Sequence, residues 1–283
     1  MKTKNILAGL VLASSGFLSM AASAAIIPEW DWVTDGGFVV GGATCSNGSE
    51  AACQLGYNET GAVTPSGIAG TSSVMTWGVP ASTGNGNQSG LQAVFGANGT
   101  GPHEAALLGS SPVTIPAFEK IVTNGDWTNT GAAIHYNNVI TAADGHMATS
   151  ELVTSFELTS PVGIPFGVVP LSITFTETYN ESLVRNCPPP NPHGTKCDDI
   201  FTVTPLPGSI TFYVGGQLYK LSFRYLAGPG AILDGDSVYT KEKSPGTSVL
   251  FTQARITTIP APGVLALLGM GLLMLGWRIR KTA

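Results

Sequence analysis

Between residues 25 and 258, apolar and polar positions alternate with a period of two rather than 3.6, the pattern of half-buried strands. In Leu171–Tyr179, the side chains of Leu171, Ile173, Phe175 and Tyr179 share one face, and Ser172, Thr174, Thr176 and Thr178 the other. Ser209–Tyr225 predicts a hairpin. Ile210, Phe212 and Val214 alternate up to Gly215-Gly216, and Tyr219, Leu221, Phe223 and Tyr225 alternate away from it. Two glycines supply the positive φ angles of a tight hairpin turn. Ser150–Thr159 alternates through Leu152, Thr154, Phe156 and Leu158, and Ser248–Ile256 through Leu250, Thr252, Ala254 and Ile256. Gly37–Val40, Val74–Trp77 and Leu91–Phe95 are shorter strand candidates, while 78–102 and 186–197 read as loops. Many strands divided by Gly, Pro and Asn turns predict an all-β fold, a β-sandwich or jelly roll in which two sheets each bury one apolar face. No repeat is evident, which argues against a propeller or solenoid. With 36 Gly, 19 Pro and only 11% charged residues, long helices are not expected.

The two ends break this pattern. Met1-Lys2-Thr3-Lys4-Asn5, an apolar run from Ile6 to Met20, and Ala22-Ser23-Ala24 form a basic region, an apolar region and a small-x-small cleavage site. Residues 1–24 are therefore read as a signal peptide cut after Ala24 by signal peptidase. At the other end, Gly263–Trp277 is an uncharged run of 15 residues followed by Arg278, Arg280 and Lys281. As a helix it spans about 22 Å, against a hydrocarbon core of about 30 Å. Such a run crosses only if its flanks snorkel or the bilayer thins. The basic cluster stays cytoplasmic, which puts 25–258 on the outer face of that membrane. A permanent single-pass anchor and a removable sorting helix both fit this reading.

Pro260-Ala261-Pro262-Gly263, the short apolar run and the terminal Arg278, Arg280 and Lys281 resemble the PEP-CTERM sorting signal, with Ala261 standing where that family usually has Glu. The resemblance covers 259–283. It implies recognition by an exosortase while the helix is transiently in the inner membrane facing the periplasm. Removal of the helix, and release or attachment at the cell surface or outside the cell, would follow. It also implies a bacterium that makes exopolysaccharide.

Charge narrows the choice of partners. The chain carries −5, but Lys2, Lys4, Arg278, Arg280 and Lys281 are terminal, which leaves eight basic residues against all 18 acids and a net −10 between the ends. An acidic surface without a Lys/Arg cluster argues against nucleic acid and anionic lipid, and for neutral sugars or divalent cations. Cys45, Cys53, Cys187 and Cys197 all fall in the exported part, where an even count predicts disulfides. Each local pair, Cys45–Cys53 and Cys187–Cys197, brackets a turn-rich loop, and their spacings are poor for zinc.

Two further stretches resemble the THxN subgroup of these sorted proteins. One is Thr76-Trp77-Gly78, with a Gly/Ser/Asn loop leading to Ser89-Gly90-Leu91. The other is Gly131–Ile140, in which Ile134 stands for the usual Thr while His135 and Asn137 match, with Tyr136 between them. Phe175–Asn180, Cys187 and Cys197-Asp198-Asp199-Ile200-Phe201 fit the same family. The resemblance implies a secreted β-domain and names no chemistry.

Candidate chemistry is sparse. His135 reads either as a hydrogen-bonding residue of a β-turn or bulge, together with Asn137 and Asn138, or as a metal ligand or general base. His103, His146 and His193 lie in unrelated stretches. Asp198-Asp199 and Asp234-Gly235-Asp236 are either solvated turn carboxylates or weak Ca²⁺ ligands, and Ca²⁺ is the one cofactor the sequence brings up. Trp30, Trp32, Trp77 and Trp127, with Tyr57 and Tyr136, read as core or as a sugar-stacking platform. There is no G-x-S-x-G elbow, phosphate loop or HExxH. The expectation is a surface or matrix protein, not an enzyme, with a structural or interaction role beside exopolysaccharide. A carbohydrate- or calcium-dependent adhesin is the alternative, and a secreted hydrolase a more distant one.

Overall fold

The computed structural model describes residues 25–46, 48, 53–58, 65–80, 87–105, 112–140, 145–176, 191–194, 197–205, 208–241, 246–260 and 270–272. The predicted signal peptide lies outside them, as does the sorting segment apart from Ile259, Pro260 and one helical turn, Met270–Leu272. No helix of the described residues is long and apolar enough to cross a membrane.

The architecture is almost wholly β, in antiparallel sheets of which one curls into a half-barrel. In chain order the strands are β1 Glu29–Val39, β2 Thr44–Cys45, β3 Thr71–Ser72, β4 Val74–Trp77, β5 Ser89–Val94, β6 His103–Ala105, β7 Val113–Ile115, β8 Ile121–Val122, β9 Thr128–Asn137, β10 Met147–Ser160, β11 Ile164–Thr176, β12 Asp199–Thr204, β13 Ser209–Val214, β14 Gln217–Ala227, β15 Ala231–Asp234, β16 Ser237–Thr240 and β17 Gly246–Ile259. The larger sheet runs β15-β16-β12-β11-β10-β1-β3, with β2 added on β10 and β8 on β1. The second sheet runs β13-β14-β17-β9-β5-β4, and β6 and β7 pair separately.

The strands with the clearest alternation form as predicted. Gly215 and Gly216 both take positive φ, and Ile210 pairs with Leu221 and Phe212 with Tyr219 across the β13–β14 hairpin. In β10, Leu152, Phe156 and Leu158 are buried, and in β11 so are Ile173 and Phe175.

The expectation of one apolar face per sheet fails for the second sheet. Every described residue of β4 and β5 is buried. The reason is that its central strands carry core on both sides. Ala132, Ile134 and Tyr136 of β9 join a cluster with Trp30, Trp32, Ile115 and Phe118, whereas Ala133 packs on a second cluster with Trp77, Phe175 and Phe201. In β17, Val249 and Phe251 go to the first cluster and Leu250 to the second. The β6–β7 hairpin contributes Ala105, Val113 and Ile115 to the first cluster. A sheet face that would otherwise meet water is therefore apolar and covered.

Candidate functional site

The site that the sequence singles out lies on β9, between β5 and β17. His135 is opposite Leu91 on one side and Ser248 on the other. It is a mid-strand residue, not part of a turn, and Asn137 ends the strand. That corrects the turn-or-bulge reading. Alternation along β9 sends His135 and Asn137 one way and Ile134 and Tyr136 the other.

His135 enters an aromatic box. Its ring meets Phe201 edge-on at 4.7 Å and Phe175 at 5.9 Å, and it stacks on Trp77 at 5.8 Å with only 9° between the planes. Phe175 and Phe201 are cross-strand partners of β11 and β12 and stack at 4.4 Å. A polar tie joins the two sheets beside this box. His135 Nδ1 lies 2.9 Å from Thr240 Oγ1 on β16, and Thr240 donates to the Asp199 carbonyl at 3.3 Å. A hydroxyl has one proton, so the Thr240 oxygen accepts from His135 Nδ1–H, and Nε2 is the bare nitrogen. Nε2 has no hydrogen-bond partner among the described residues. Asn137 Nδ2 donates to Asp199 Oδ2 at 2.7 Å.

Burial pushes the His135 pKa down to about 3. The charged form would have to give up its hydration inside an apolar box. The imidazole is neutral at ordinary pH and acts there as a packing and hydrogen-bonding group.

Three stretches far apart in sequence meet here, Thr76-Trp77-Gly78, Gly131–Ile140 and Asp198–Phe201. Thr76 donates to Gln88 Oε1 at 3.0 Å, and Gln88 Nε2 donates to the Gln54 and Gly78 carbonyls. Gly78 has φ +84°, and a Cβ there would sit 2.6 Å from Ile140. Ser89 Oγ donates to the Asn138 carbonyl, and Asn138 Nδ2 to the Gln88 carbonyl. Sequence reading missed Thr240 and Gln88. β16 is four residues long and gives no periodic signal.

The four acidic candidates part company. Asp198 and Asp199 are buried, not solvated turn carboxylates, because β12 begins at Asp199 and its first residues turn inward. Asp198 is held by His193, Nδ1 to Oδ1 at 2.8 Å and backbone N to Oδ2 at 3.1 Å. Asp234 and Asp236 are exposed on the β15–β16 turn, where Gly235 has φ +62°. Among the described residues, no three His, Cys, Asp or Glu side chains come together as a metal site.

The aromatic candidates also separate. Trp30, Trp32 and Trp77 are fully buried, with the Trp30 and Trp32 indole N–H groups given to Thr123 Oγ1 and the Glu119 carbonyl at 2.8 Å. Tyr136 is buried and donates to Gln92 Oε1 at 2.6 Å. Trp127 is half-buried and has the Arg224 and Arg255 guanidinium groups over its ring, at 4.4 and 4.8 Å, and Tyr57 is half-buried elsewhere. The set is divided between core and surface and makes no common platform.

Cys45 and Cys53 are joined in a disulfide with their Cα atoms 6.1 Å apart. Cys197 is buried and disulfide-bonded, and Cys187 lies outside the described residues. Pro260 is exposed directly after β17, while Ala261, Pro262, Gly263, Arg278, Arg280 and Lys281 lie outside the described residues. Closing the short Cys45–Cys53 loop restricts the unfolded chain by about 2.5 kcal/mol in the chain-entropy account. Replacing both cysteines with serine is expected to lower stability by that order in urea unfolding, and an unchanged midpoint would remove the disulfide from the stabilising set.

No family model matches this chain, and the curated proteins contain no match to it.

Proposed function

We propose that this is an exported β-sandwich protein of the bacterial surface or extracellular matrix, sorted by an exosortase-type system through its tail. Its role in this reading is structural or interactive, beside exopolysaccharide, and not catalytic. The observation that carries the reading is a disulfide-bonded β-domain between a basic-then-apolar start with Ala22-Ser23-Ala24 and a basic-ended apolar tail. Disulfides persist in oxidising compartments, so Cys45–Cys53 agrees with a route out of the cytoplasm. The THxN-like residues support a structural role, since His135 is neutral and buried in aromatic rings and Asn137 is bonded to a buried carboxylate. A net −10 between the ends suits a soluble domain beside uncharged polysaccharide.

Deleting Val264–Ala283 tests the sorting half in the native host. The truncated chain is expected in the medium with its C-terminus uncut. The full chain is expected to lose residues 1–24 and the tail, as read by intact mass. A native product that still starts at Met1 and ends at Ala283 would sink the proposal.

A further inference from the structure

The two core clusters do not close on each other completely. Between them lies a cavity of about 320 Å³, lined by both sheets. Phe156 and Phe223 bound it from the first cluster, and Leu152, Ile173 and Leu250 from the second. A bulge shapes its wall. Ser155 pairs with Val168 and Glu157 with Pro165, so Phe166 and Gly167 together oppose Phe156, and Gly167 takes φ +81°. The extra residue turns both Phe166 and Val169 onto the cavity.

The same stretch opens the mouth. β12 pairs with β11 only over Ser172–Thr176, so Ile164–Leu171 has a strand on one side alone, and β13 is the edge of the other sheet. Val169 and Ile210 line the cavity from these two edges and are still 43% and 41% exposed.

The chemistry of the lining selects an occupant. Among the described residues, no charged side chain lines the cavity. The hydroxyls of Thr34, Thr130 and Ser155 are bonded to backbone carbonyls. Tyr225 also borders the cavity, but its Oη is sealed from solvent and from the cavity alike. We propose that this cavity binds an uncharged aliphatic molecule, a fatty alcohol or acyl ester, its chain between the sheets and its polar end at the mouth beside Val169 and Ile210. The volume lies at the small end of ligand pockets and equals that of roughly ten waters in the liquid, which suits a medium chain. The inference is independent of the sorting reading, since a domain kept on its tail would hold the same ligand.

Calorimetric titration of the exported protein, purified without detergent, with 1-hexanol, 1-octanol and 1-decanol tests the idea. Affinity is expected to rise about fourfold per methylene until the cavity is full. Octyltrimethylammonium is expected to bind at least tenfold more weakly than 1-octanol. Thr154→Trp puts an indole into the cavity from β10 and is expected to abolish binding. If Thr154→Trp does not fold, the chain-length series and the cationic surfactant decide the matter. Affinity independent of chain length, or equal binding of the cationic surfactant, would overturn the proposal. So would a dimer in solution that buries Val169 and Ile210 and excludes the alcohols.

Discussion

Replacing Trp77 with alanine is expected to lower the unfolding free energy by about 4 kcal/mol, a large share of the ~5–15 kcal/mol that holds an ordinary domain together. Trp77 is fully buried and touches two partners from different strands, stacking on His135 and packing on Phe175 at 5.2 Å. Removing the indole leaves a void that the surrounding strands cannot collapse to fill. β4 is buried at every described position and Gly78 is already in contact with Ile140. It also exposes one face of the His135 ring, whose neutral state depends on a dry surrounding. Trp127→Ala supplies the contrast. That indole is half-buried with Arg224 and Arg255 over its ring, and its loss is expected to cost under ~1 kcal/mol, the scale of an exposed cation–π contact. Urea midpoints of the two variants decide the matter. Equal losses would show that the aromatic box is not a structural centre.

What was readable in the sequence follows how each strand is buried. β10, β11 and β14 alternate because one of their faces meets solvent, and Leu152, Phe156, Leu158, Ile173, Phe175, Tyr219 and Leu221 point inward as expected, whereas Ile210 on the edge strand β13 stays exposed. β5 and β9 are covered on both sides, so their sequences do not alternate; β5 still shows as the short candidate Leu91–Phe95, whereas a period-two search passes over β9. β1 hides for another reason. Asp35-Gly36-Gly37 has the composition of a turn, yet it continues the strand. A Cβ on Gly36 would meet the Phe95 ring and the Val153 carbonyl at 2.5 Å, so the glycine is there for close approach. The candidate site was legible as a set of residues and illegible as a geometry. Trp77, His135, Phe201 and Asp199 each stood out, but their convergence depends on strand order. Local pattern does not encode which sheet edge lies beside which. The short-range disulfide Cys45–Cys53 was within reach, because a local loop can be read without topology.

Lowering the pH from 7 to 4.5 is expected to remove about 2.5 kcal/mol of stability through His135 alone. In the unfolded chain this imidazole has its ordinary pKa of 6.5, and in the folded protein burial holds it at about 3. Below pH 6.5 the unfolded state therefore binds a proton that the folded state refuses, and stability falls with a limiting slope of about 1.4 kcal/mol per pH unit. The contribution is complete above pH 6.5 and is exhausted near pH 3. His146, half-buried with its pKa also lowered by burial, adds a loss of the same sign. Asp31, whose carboxyl is held below its ordinary 3.8 by the Lys120 ammonium, loses its contribution only at more acid pH and stays outside this window. His135→Gln separates the terms, because glutamine can still donate to Thr240 Oγ1 and does not titrate. The variant is expected to be less stable at pH 7 yet to lose about 2.5 kcal/mol less than the native protein between pH 7 and 4.5, by urea unfolding at both values. Identical losses would mean that His135 is already charged in the folded state, with a counterion or water beside Nε2. The ring would then be an ionisable group in a wet site instead of a neutral tie between two sheets.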